Sequence, residues 1–290
     1  MQRTQKIFSE NQISSYRVAL KISLEISSIA FDNYVTQNST KNLVILHGLL
    51  GSKQNWRALG KALSQKLNSS VFTLDLRNHG DSAHSAKMSY RDMASDVEHF
   101  IKRHNLDNDN KELILMGHSM GGRVAMEVAL SNEVPLDKLI LVDISPLKMD
   151  IKSSFEKYLL AMKEVENAKL TKQSQADEIL KKSVSDIGVR QFLLTNYKKN
   201  SSTAIYNFRN PLEVITEHLD EIGHLAINSR TFSKPTLFIR GTKSHYLDPS
   251  TYPQIRAIFL QSEFEDIEAG HWVHSENPNA FIGACLNYLN

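Results

Sequence analysis

Several features that would define other classes of protein are scarce in this sequence of 290 residues. A single cysteine, Cys285, excludes an internal disulfide and is consistent with a reducing compartment. No apolar run approaches the roughly 18 residues of a membrane-spanning helix. The 34 basic and 32 acidic residues leave a net charge of only +2, which gives no support for a nucleic-acid-binding surface. The hydrophobic fraction of 41% can form a sizeable core, in one large α/β domain or two small ones.

The first twenty residues are poor in acidic side chains. Arg3, Lys6 and Arg17 stand against Glu10 alone, among several serines and glutamines. Such a composition is typical of a mitochondrial presequence, although this segment is short and weakly amphipathic. A frayed terminus before the first strand is the alternative. We therefore assign residues 1–16 to a targeting segment or a disordered terminus.

Short apolar strands alternate with amphipathic helices through the first half of the chain. Strands are predicted at residues 42–46, 71–75, 113–116 and 138–143, and helices between them at residues 54–67, 90–104 and 123–130. Because each strand is followed by a helix, the pattern predicts a parallel sheet built from βαβ units. Residues 17–26 alternate apolar and polar side chains, and residues 29–35 can return beside them, which predicts an antiparallel hairpin at the N-terminal edge.

The alternation of strands and helices stops at Pro146. Only helical patterns are visible from residue 154 to about residue 218, and no strand candidate interrupts them. The strand pattern returns at residues 235–239 and 264–268, and a closing helix is predicted over residues 278–289. The α/β pattern is therefore interrupted once, by helices.

A helical insertion of this kind has an expected place in the fold. Between two strands of one sheet, it would lie over the carboxyl ends of the strands, where open α/β sheets bind ligands. We therefore predict a helical cap over residues 146–230, on an α/β core formed by residues 17–145 and 231–290. A separate helical domain with no part in the site is the alternative.

A Gly-x-Ser-x-Gly motif, from Gly117 to Gly121, connects a predicted strand to a predicted helix. A serine that leaves a strand and enters a helix within two residues needs a strained backbone, and small residues on either side let strand and helix approach. The turn places Ser119 at a helix N-terminus, where backbone N–H groups favour negative charge. Ser119 is the candidate nucleophile, and a glycine-rich turn with an incidental serine is the alternative.

A serine nucleophile needs a base, and three histidines are candidates. His271 follows the last predicted strand directly after a glycine, which frees the loop to turn the imidazole toward Ser119. His274 is the competitor, and a zinc site formed by both histidines lacks further ligands nearby in the sequence. His118 flanks the nucleophile, but we expect its side chain to point away from Ser119 and to pack near the loop of His47. We assign His271 as the base.

At this point the chain resembles the α/β-hydrolase superfamily. The resemblance rests on His47-Gly48 after an early strand, on the turn at Ser119, on the Gly-His pair at residues 270–271, and on the position of the predicted cap between two strands. It covers nearly the whole chain. It implies an α/β-hydrolase fold, with a mostly parallel sheet, an N-terminal antiparallel hairpin and a helical cap inserted between strands. It also implies the chain order nucleophile, acid, histidine.

The position of the acid departs from the usual pattern of the superfamily. In most members it lies three residues past the glycine that ends the strand before the last, and here that position, after Gly241, holds Ser244. Asp248 lies four residues further on, but an Asp-Pro pair is also typical of a helix N-cap. Asp143 ends the strand after the nucleophile helix, at the carboxyl edge of the sheet, and is the better candidate by geometry. Asp248 stays open.

Four segments in order narrow the resemblance to one branch of the superfamily. They are residues 46–56, 75–82, 142–146 and 270–274. They look like a group that contains mitochondrial α/β-hydrolase-domain proteins, bacterial short-chain acyl esterases and fungal ethanol acetyltransferases. In that branch the acid of the catalytic triad is the aspartate at the position that corresponds to Asp143. The mitochondrial members favour a mitochondrial location over a cytoplasmic one.

The superfamily pattern further implies an oxyanion hole formed by the backbone N–H groups of Leu49 and Met120. Leu49 follows the His47-Gly48 pair, and Met120 follows the nucleophile. The loop at residues 77–82, in contrast, is expected to be a structural crossover with no position in the chemical step.

The expected activity is acyl transfer through an acyl-Ser119 intermediate, with His271 as base and then acid, and with Asp143 holding the imidazole tautomer. The donor is a short-chain acyl ester or thioester, acyl-CoA would be a substrate, and no metal or redox cofactor is expected. Water as acceptor gives an esterase or thioesterase, whereas ethanol with acetyl-CoA gives an alcohol acetyltransferase. A non-catalytic protein of this architecture, which binds a ligand or protects a partner, is the alternative.

Overall fold

The computed structural model describes residues 28–107, 110–227 and 229–290. The candidate targeting segment and the predicted strand at residues 17–26 lie outside these ranges. The described strands are, in chain order, β1 Phe31–Tyr34, β2 Lys41–Leu46, β3 Ser69–Leu74, β4 Glu112–His118, β5 Lys138–Val142, β6 Tyr197–Lys199, β7 Tyr206–Phe208, β8 Phe232–Gly241 and β9 Phe259–Ile267.

Most of these strands form one large sheet, in the order β1-β3-β2-β4-β5-β8-β9, and β6 and β7 form a separate pair. β1 is antiparallel to β3, and each of the other neighbouring pairs in the large sheet is parallel. The predicted parallel sheet with an antiparallel N-terminal edge is therefore confirmed. The predicted hairpin partner of β1, residues 17–26, lies outside the described residues.

Helices cover both faces of the large sheet. They are α1 Arg57–Leu67, α2 Tyr90–Arg103, α3 Met120–Ser131, α4 Lys152–Asn167, α5 Gln173–Leu180, α6 Ile187–Leu194, α7 Leu212–Glu217, α8 Leu219–Ile222, α9 Tyr252–Ile258, α10 Val273–Glu276 and α11 Pro278–Leu289, with 3₁₀ turns at Lys53–Trp56 and Pro249–Thr251. None of the helices in the described ranges combines the length and apolar character that a membrane crossing requires.

The core has two layers because successive side chains of a strand point to opposite faces of the sheet. Leu43 and Ile45 of β2 join a buried cluster with residues of α1 and α11. Val44 and Leu46 join the other cluster, with residues of α2, α3 and the helices that follow β5. Strands β2, β3, β4 and β5 are buried on both faces, and this explains why they appear in the sequence as short continuous apolar runs.

The segment between β5 and β8 contains α4 to α8 and the β6–β7 hairpin. The expectation that only helical patterns occupy residues 154–218 is wrong at this hairpin. Tyr197 pairs with Phe208 in an antiparallel register, and its ring lies 5.4 Å from that of Tyr206 and 4.7 Å from that of Phe208. Strands of three residues are too short to show the alternation by which a strand is identified in a sequence.

The last strand begins earlier than the sequence predicts, at Phe259 rather than at residue 264. β9 is the outer edge strand of the sheet. Its first half exposes polar side chains such as Gln261, so it lacks the apolar run that marks the buried strands. The closing helix, in contrast, has the predicted bounds.

Candidate active site

Ser119 lies in the sharp turn between β4 and α3. Its backbone has φ 52° and ψ −120°, a conformation that non-glycine residues rarely adopt. A Cβ at Gly117 would lie 2.2 Å from the Gly121 carbonyl oxygen, and one at Gly121 would lie 2.4 Å from the His47 carbonyl oxygen. Glycine at these two positions therefore lets the strand and the helix approach closely enough to hold Ser119 in this turn.

Three side chains from separate parts of the chain meet at the turn. His271 Nε2 lies 3.0 Å from Ser119 Oγ, and His271 Nδ1 lies 2.7 Å from Asp143 Oδ2. Asp143 follows β5 and is fully buried, whereas His271 lies in the loop between β9 and α10. This arrangement gives the hydroxyl a proton acceptor, and it gives the imidazole a carboxylate that accepts its other N–H.

The Asp143 carboxylate is held by further donors. Its Oδ1 accepts a hydrogen bond of 3.0 Å from Gly241 N, and its Oδ2 accepts one from the Ser244 hydroxyl. Gly241 also contacts the loop of the histidine closely, because a Cβ there would lie 2.2 Å from the Gly270 carbonyl oxygen. Ser244 has no carboxylate and cannot serve as the acid, but it donates to Asp143, and sequence reasoning missed this contact.

Asp248, the other candidate acid, lies elsewhere. Its Oδ1 accepts a hydrogen bond of 2.8 Å from Ser250 N at the start of the second 3₁₀ turn. The hydrogen bonds from Ser250 hold the pKa of this exposed carboxyl below its usual range. Asp248 therefore has the N-cap geometry that its Asp-Pro pair also suggests. Of the two candidate acids, Asp143 is the one that the structure places beside His271.

His118 supports the loop of His271 from below. Its Nε2–H donates to the His271 carbonyl oxygen at 2.9 Å. Burial lowers the pKa of His118 well below its usual value, so the ring is a neutral donor. The side chain also packs against the His47 loop, as expected, because a Cβ on Gly48 would lie 2.9 Å from His118 Nδ1.

His274, the competing base, stacks on Trp56 with ring centroids 4.2 Å apart and an angle of 11° between the planes. Burial lowers the pKa of His274 to about 3. No group of three histidine, cysteine or acidic side chains in the described part of the chain is arranged to hold a metal ion. Cys285 is buried in α11, and burial raises the pKa of its thiol to about 12.

Two further contacts orient the His271 loop and carry no signal in the sequence. Tyr246 stacks on the His271 ring with centroids 3.8 Å apart and an angle of 21°. The Glu276 carboxylate accepts hydrogen bonds from Gly270 N at 2.7 Å and from Trp272 N at 3.2 Å, on either side of the histidine. Both contacts depend on loops that only the tertiary structure brings together.

The two residues predicted to supply oxyanion donors lie at one small cavity beside Ser119. Leu49 and Met120 line a small cavity together with Ser119. Met120 is the first residue of α3, where backbone N–H groups have no partner within the helix. A developing negative charge next to Ser119 would therefore meet the N-terminus of a helix.

The loop that carries Leu49 is fixed from two directions. Leu50 N donates to His79 Nε2 at 3.1 Å, and the Leu50 carbonyl oxygen accepts a hydrogen bond of 2.6 Å from Asn196 Nδ2. Leu76 N donates in the same way to His47 Nε2 at 3.1 Å. Burial lowers the pKa of His79 to about 3 and also lowers that of His47, so both rings can accept as neutral imidazoles.

The loop at residues 77–82 has the contacts of a structural crossover. Asp75 accepts hydrogen bonds from Lys53 N at 2.7 Å and from Lys53 Nζ at 2.8 Å. Gly80 has φ 56°, and a Cβ there would lie 2.1 Å from the Asp75 carboxylate. The bond from Leu50 to His79 gives this loop an additional role that the sequence does not indicate, because it supports the backbone next to Leu49.

A cavity of about 410 Å³ opens at Ser119. Its lining residues are His47, Gly48, Leu49, Gly51, Asn55, Trp56, His118, Ser119, Phe155, Asp186, Gly188, Phe192, His271, Trp272, His274, Ser275 and Glu276. Phe155 belongs to α4 and Phe192 to α6, so the segment between β5 and β8 forms part of the cavity wall.

A model of the alpha/beta hydrolase fold family matches residues 41–278 of this chain. The match covers most of the sequence and agrees with the parallel sheet, the serine turn after β4 and the histidine loop after β9. The chain therefore belongs to the α/β-hydrolase fold family.

Relatives within this family include enzymes that act on esters. The chain is 36% identical to a sn-1-specific diacylglycerol lipase of Danio rerio, over 90% of this chain and 82% of that protein. It is 40% identical to a probable alcohol acetyltransferase of Saccharomyces cerevisiae, over 85% of this chain and 76% of that protein. Among solved structures, a marine microorganism esterase is similar with a TM-score of 0.82 and 30% identity, over 90% of this chain and 99% of that one.

Proposed function

We propose that this protein is a serine esterase that transfers a short acyl group from an ester or thioester to water through an acyl-Ser119 intermediate. The observation that carries the proposal is the hydrogen-bonded series from Ser119 Oγ through His271 to Asp143, with lengths of 3.0 and 2.7 Å. A scaffold that only binds a ligand does not need this arrangement.

Each residue has one role in the proposed reaction. His271 Nε2 takes the proton of Ser119 as Oγ attacks the carbonyl carbon, and Asp143 stabilises the imidazolium that forms. The N–H groups of Leu49 and Met120 donate to the oxyanion. Collapse of this intermediate breaks the bond to the leaving group, which takes the proton from His271. Water repeats the sequence on the acyl-serine and releases a carboxylic acid.

The space next to the oxyanion loop supports a short acyl group. The cavity that Leu49 and Met120 line beside Ser119 has a volume of about 10 Å³, and aromatic and aliphatic residues such as Tyr90 and Ile144 also line it. A volume of that order holds about one water molecule. A long acyl chain placed there would therefore need side chains to move.

Transfer to an alcohol is a second candidate function, which the 40% identity to the probable alcohol acetyltransferase favours. The same acyl-Ser119 intermediate would then be attacked by ethanol, with acetyl-CoA as the donor, and ethyl acetate would be released. Incubation with acetyl-CoA and ethanol, followed by measurement of ethyl acetate against free acetate, distinguishes the two functions.

The test of the serine mechanism is the substitution Ser119→Ala. We expect it to abolish both labelling by a fluorophosphonate probe and hydrolysis of butanoate esters, because Ser119 Oγ is the group that forms the acyl-enzyme in the proposed mechanism. Ser250→Ala, in the exposed turn near Asp248, is the matched control and should label as the wild type does. Hydrolysis that persists in Ser119→Ala would refute the mechanism, and a folded wild type that neither labels nor hydrolyses would favour a non-catalytic role.

A mitochondrial location is part of the same proposal. It is supported by the acid-poor composition of residues 1–20 and by the resemblance to a branch with mitochondrial members. A fluorescent fusion of the full chain should colocalise with a mitochondrial marker, and deletion of residues 2–16 should disperse it. A cytoplasmic signal from the full chain would contradict the assignment.

A further inference from the structure

The cavity at the nucleophile has a polar end that the proposed chemistry does not use. Asn55, His274, Ser275 and Glu276 line it, in the same cavity as Ser119. The aromatic residues of the cavity wall, such as Trp272, can be explained by contact with an apolar part of the substrate. Burial of an apolar substrate part does not explain His274, which is buried, or Asn55, which is half-buried, because a buried polar group needs a hydrogen-bond partner.

His274 is the central residue of this end. Only 4% of its surface is exposed, and its Nδ1, which is itself buried, has no hydrogen-bond partner among the residues that the structure describes. The ring is held in one orientation by its stack on Trp56, and its centroid lies 4.7 Å from that of His118. The His118 centroid lies 4.7 Å in turn from that of His271. A neutral imidazole offers one donor and one acceptor, and here it lies close to the proposed base.

Asn55 offers a second hydrogen-bonding group on the same wall. Its Oδ1 accepts a hydrogen bond of 2.7 Å from Ser52 N, which fixes the carboxamide at the first 3₁₀ turn. The Nδ2 group is therefore the donor that Asn55 can present to a ligand. Together with His274, it provides neutral donors and an acceptor of the kind that a hydroxyl group can satisfy.

The charges at the cavity exclude one class of ligand. Asp186 and Glu276 are acidic, and no lysine or arginine is found among the described residues that line the cavity. An anionic group would meet like charges without a cationic partner, whereas an uncharged hydroxyl would not. This end of the cavity therefore favours a neutral polar group over a carboxylate or a phosphate.

We propose that Asn55 and His274 form the binding subsite for the alcohol part of the ester, and that this subsite selects an uncharged alcohol with a second, free hydroxyl. The inference rests on the proposed esterase function, because the alcohol part is the leaving group of that reaction. A hydroxyl on the alcohol chain donates to or accepts from the His274 ring and accepts from Asn55 Nδ2. The same subsite then holds an acceptor alcohol when the acyl-serine is attacked.

The experiment compares pairs of esters of similar shape. Butanoate esters with a terminal hydroxyl on an alcohol chain of two, three or four carbons are each matched to the ester with a methyl in its place. We expect a higher kcat/KM for the hydroxyl ester in at least one pair, because the hydroxyl finds partners in the subsite. An ester with a terminal carboxylate on the alcohol chain should be a poorer substrate than either.

His274→Phe tests the assignment to residues, since a phenyl ring preserves the stack on Trp56. The preference for hydroxyl over methyl should fall by about 3- to 10-fold, the range expected for the loss of one neutral hydrogen bond. His104→Phe is the matched control, because His104 also packs against aromatic rings, at 4.5 Å from Phe100, but is not among the residues that line the cavity. It should leave the preference unchanged.

A second measurement on the wild type decides the case where His274→Phe does not fold. The acyl-enzyme formed from 4-nitrophenyl butanoate is partitioned between water and added butanediol or pentanol. Butanediol should divert the acyl group with saturation at lower concentration than pentanol. The subsite would be overturned if the two alcohols divert the acyl group equally, if the hydroxyl esters show no higher kcat/KM, or if His274→Phe leaves that preference intact. In each of these cases Ser119-dependent hydrolysis would remain. Absence of that hydrolysis would overturn the esterase function and the subsite with it.

Discussion

Asp143 directly follows β5, and its backbone is held in position for the proposed contact with His271. Its N–H donates to the Ile239 carbonyl oxygen of β8 at 2.8 Å, and its backbone has φ 47°. That conformation is unfavourable for an aspartate, and it persists because the surroundings hold it. Ser244 and Gly241 donate to the carboxylate in addition to His271, so that three donors hold it. The carboxylate is therefore oriented before any substrate binds.

At the residue scale, Asp143→Asn should lower kcat by up to about 10⁴-fold, because an amide at this position can favour the wrong imidazole tautomer. Asp248→Asn is the matched substitution at the other candidate acid and should change kcat by less than about tenfold, since it alters only an exposed N-cap, a role that asparagine also fills. Steady-state kinetics with a butanoate ester measure both variants. A larger loss for Asp248→Asn than for Asp143→Asn would move the acid to Asp248.

At the scale of elements, the turn between β4 and α3 is tightly constrained by its neighbours. The strand, the turn and the helix approach one another through Gly117 and Gly121, and the added carbon atoms of alanine would meet backbone atoms that cannot rotate away. Helix α11, on the opposite face of the sheet, also contains a glycine, Gly283, but nothing lies within 4 Å of a Cβ placed there.

Gly121→Ala should therefore destabilise the protein, by about 1–3 kcal/mol or more. Gly283→Ala should stabilise it slightly, by up to about 1 kcal/mol, because alanine is the better helix former and no contact is strained. Urea unfolding monitored by circular dichroism gives both free energies of unfolding. Equal effects of the two substitutions would show that the close approach at Gly121 is relieved by backbone movement.

At the scale of the whole molecule, four histidines around the site are buried, and burial lowers the pKa of each: His47, His79, His118 and His274. Their folded-state pKa values lie below the value of about 6.5 in an unfolded chain. The unfolded chain therefore binds more protons between about pH 3 and pH 6.5, and stability is lost as the pH falls through this window.

The free energy of unfolding should therefore be lower at pH 5 than at pH 7, by about 2 kcal/mol for each histidine whose folded-state pKa is about 3. Urea titrations at the two pH values measure this difference. His274→Phe should reduce the difference by about the contribution of one histidine, since phenylalanine cannot take up the proton. A stability that is independent of pH between 5 and 7 would contradict the neutral state of these rings.

Much of the fold is predictable because its signals are local. Strands β2 to β5 are short apolar runs, the glycines around Ser119 are two positions from it, and His271 follows both a strand and a glycine. Each of these patterns depends on neighbouring residues alone. The β6–β7 hairpin is not predictable in this way, because its strands are too short to show an alternation of apolar and polar residues. The early start of β9 is not predictable either, because the first half of that strand is exposed to solvent.

The sequence by itself determined the order of strands and helices, the serine turn and the candidates for nucleophile, acid and base, since these follow from residue type and spacing. Only the tertiary structure decided which aspartate meets His271, that Ser244 and Tyr246 support that pair, and that His274 lies in the cavity wall. Those relations join residues more than 100 positions apart or in separate loops, and packing alone sets the distances between them.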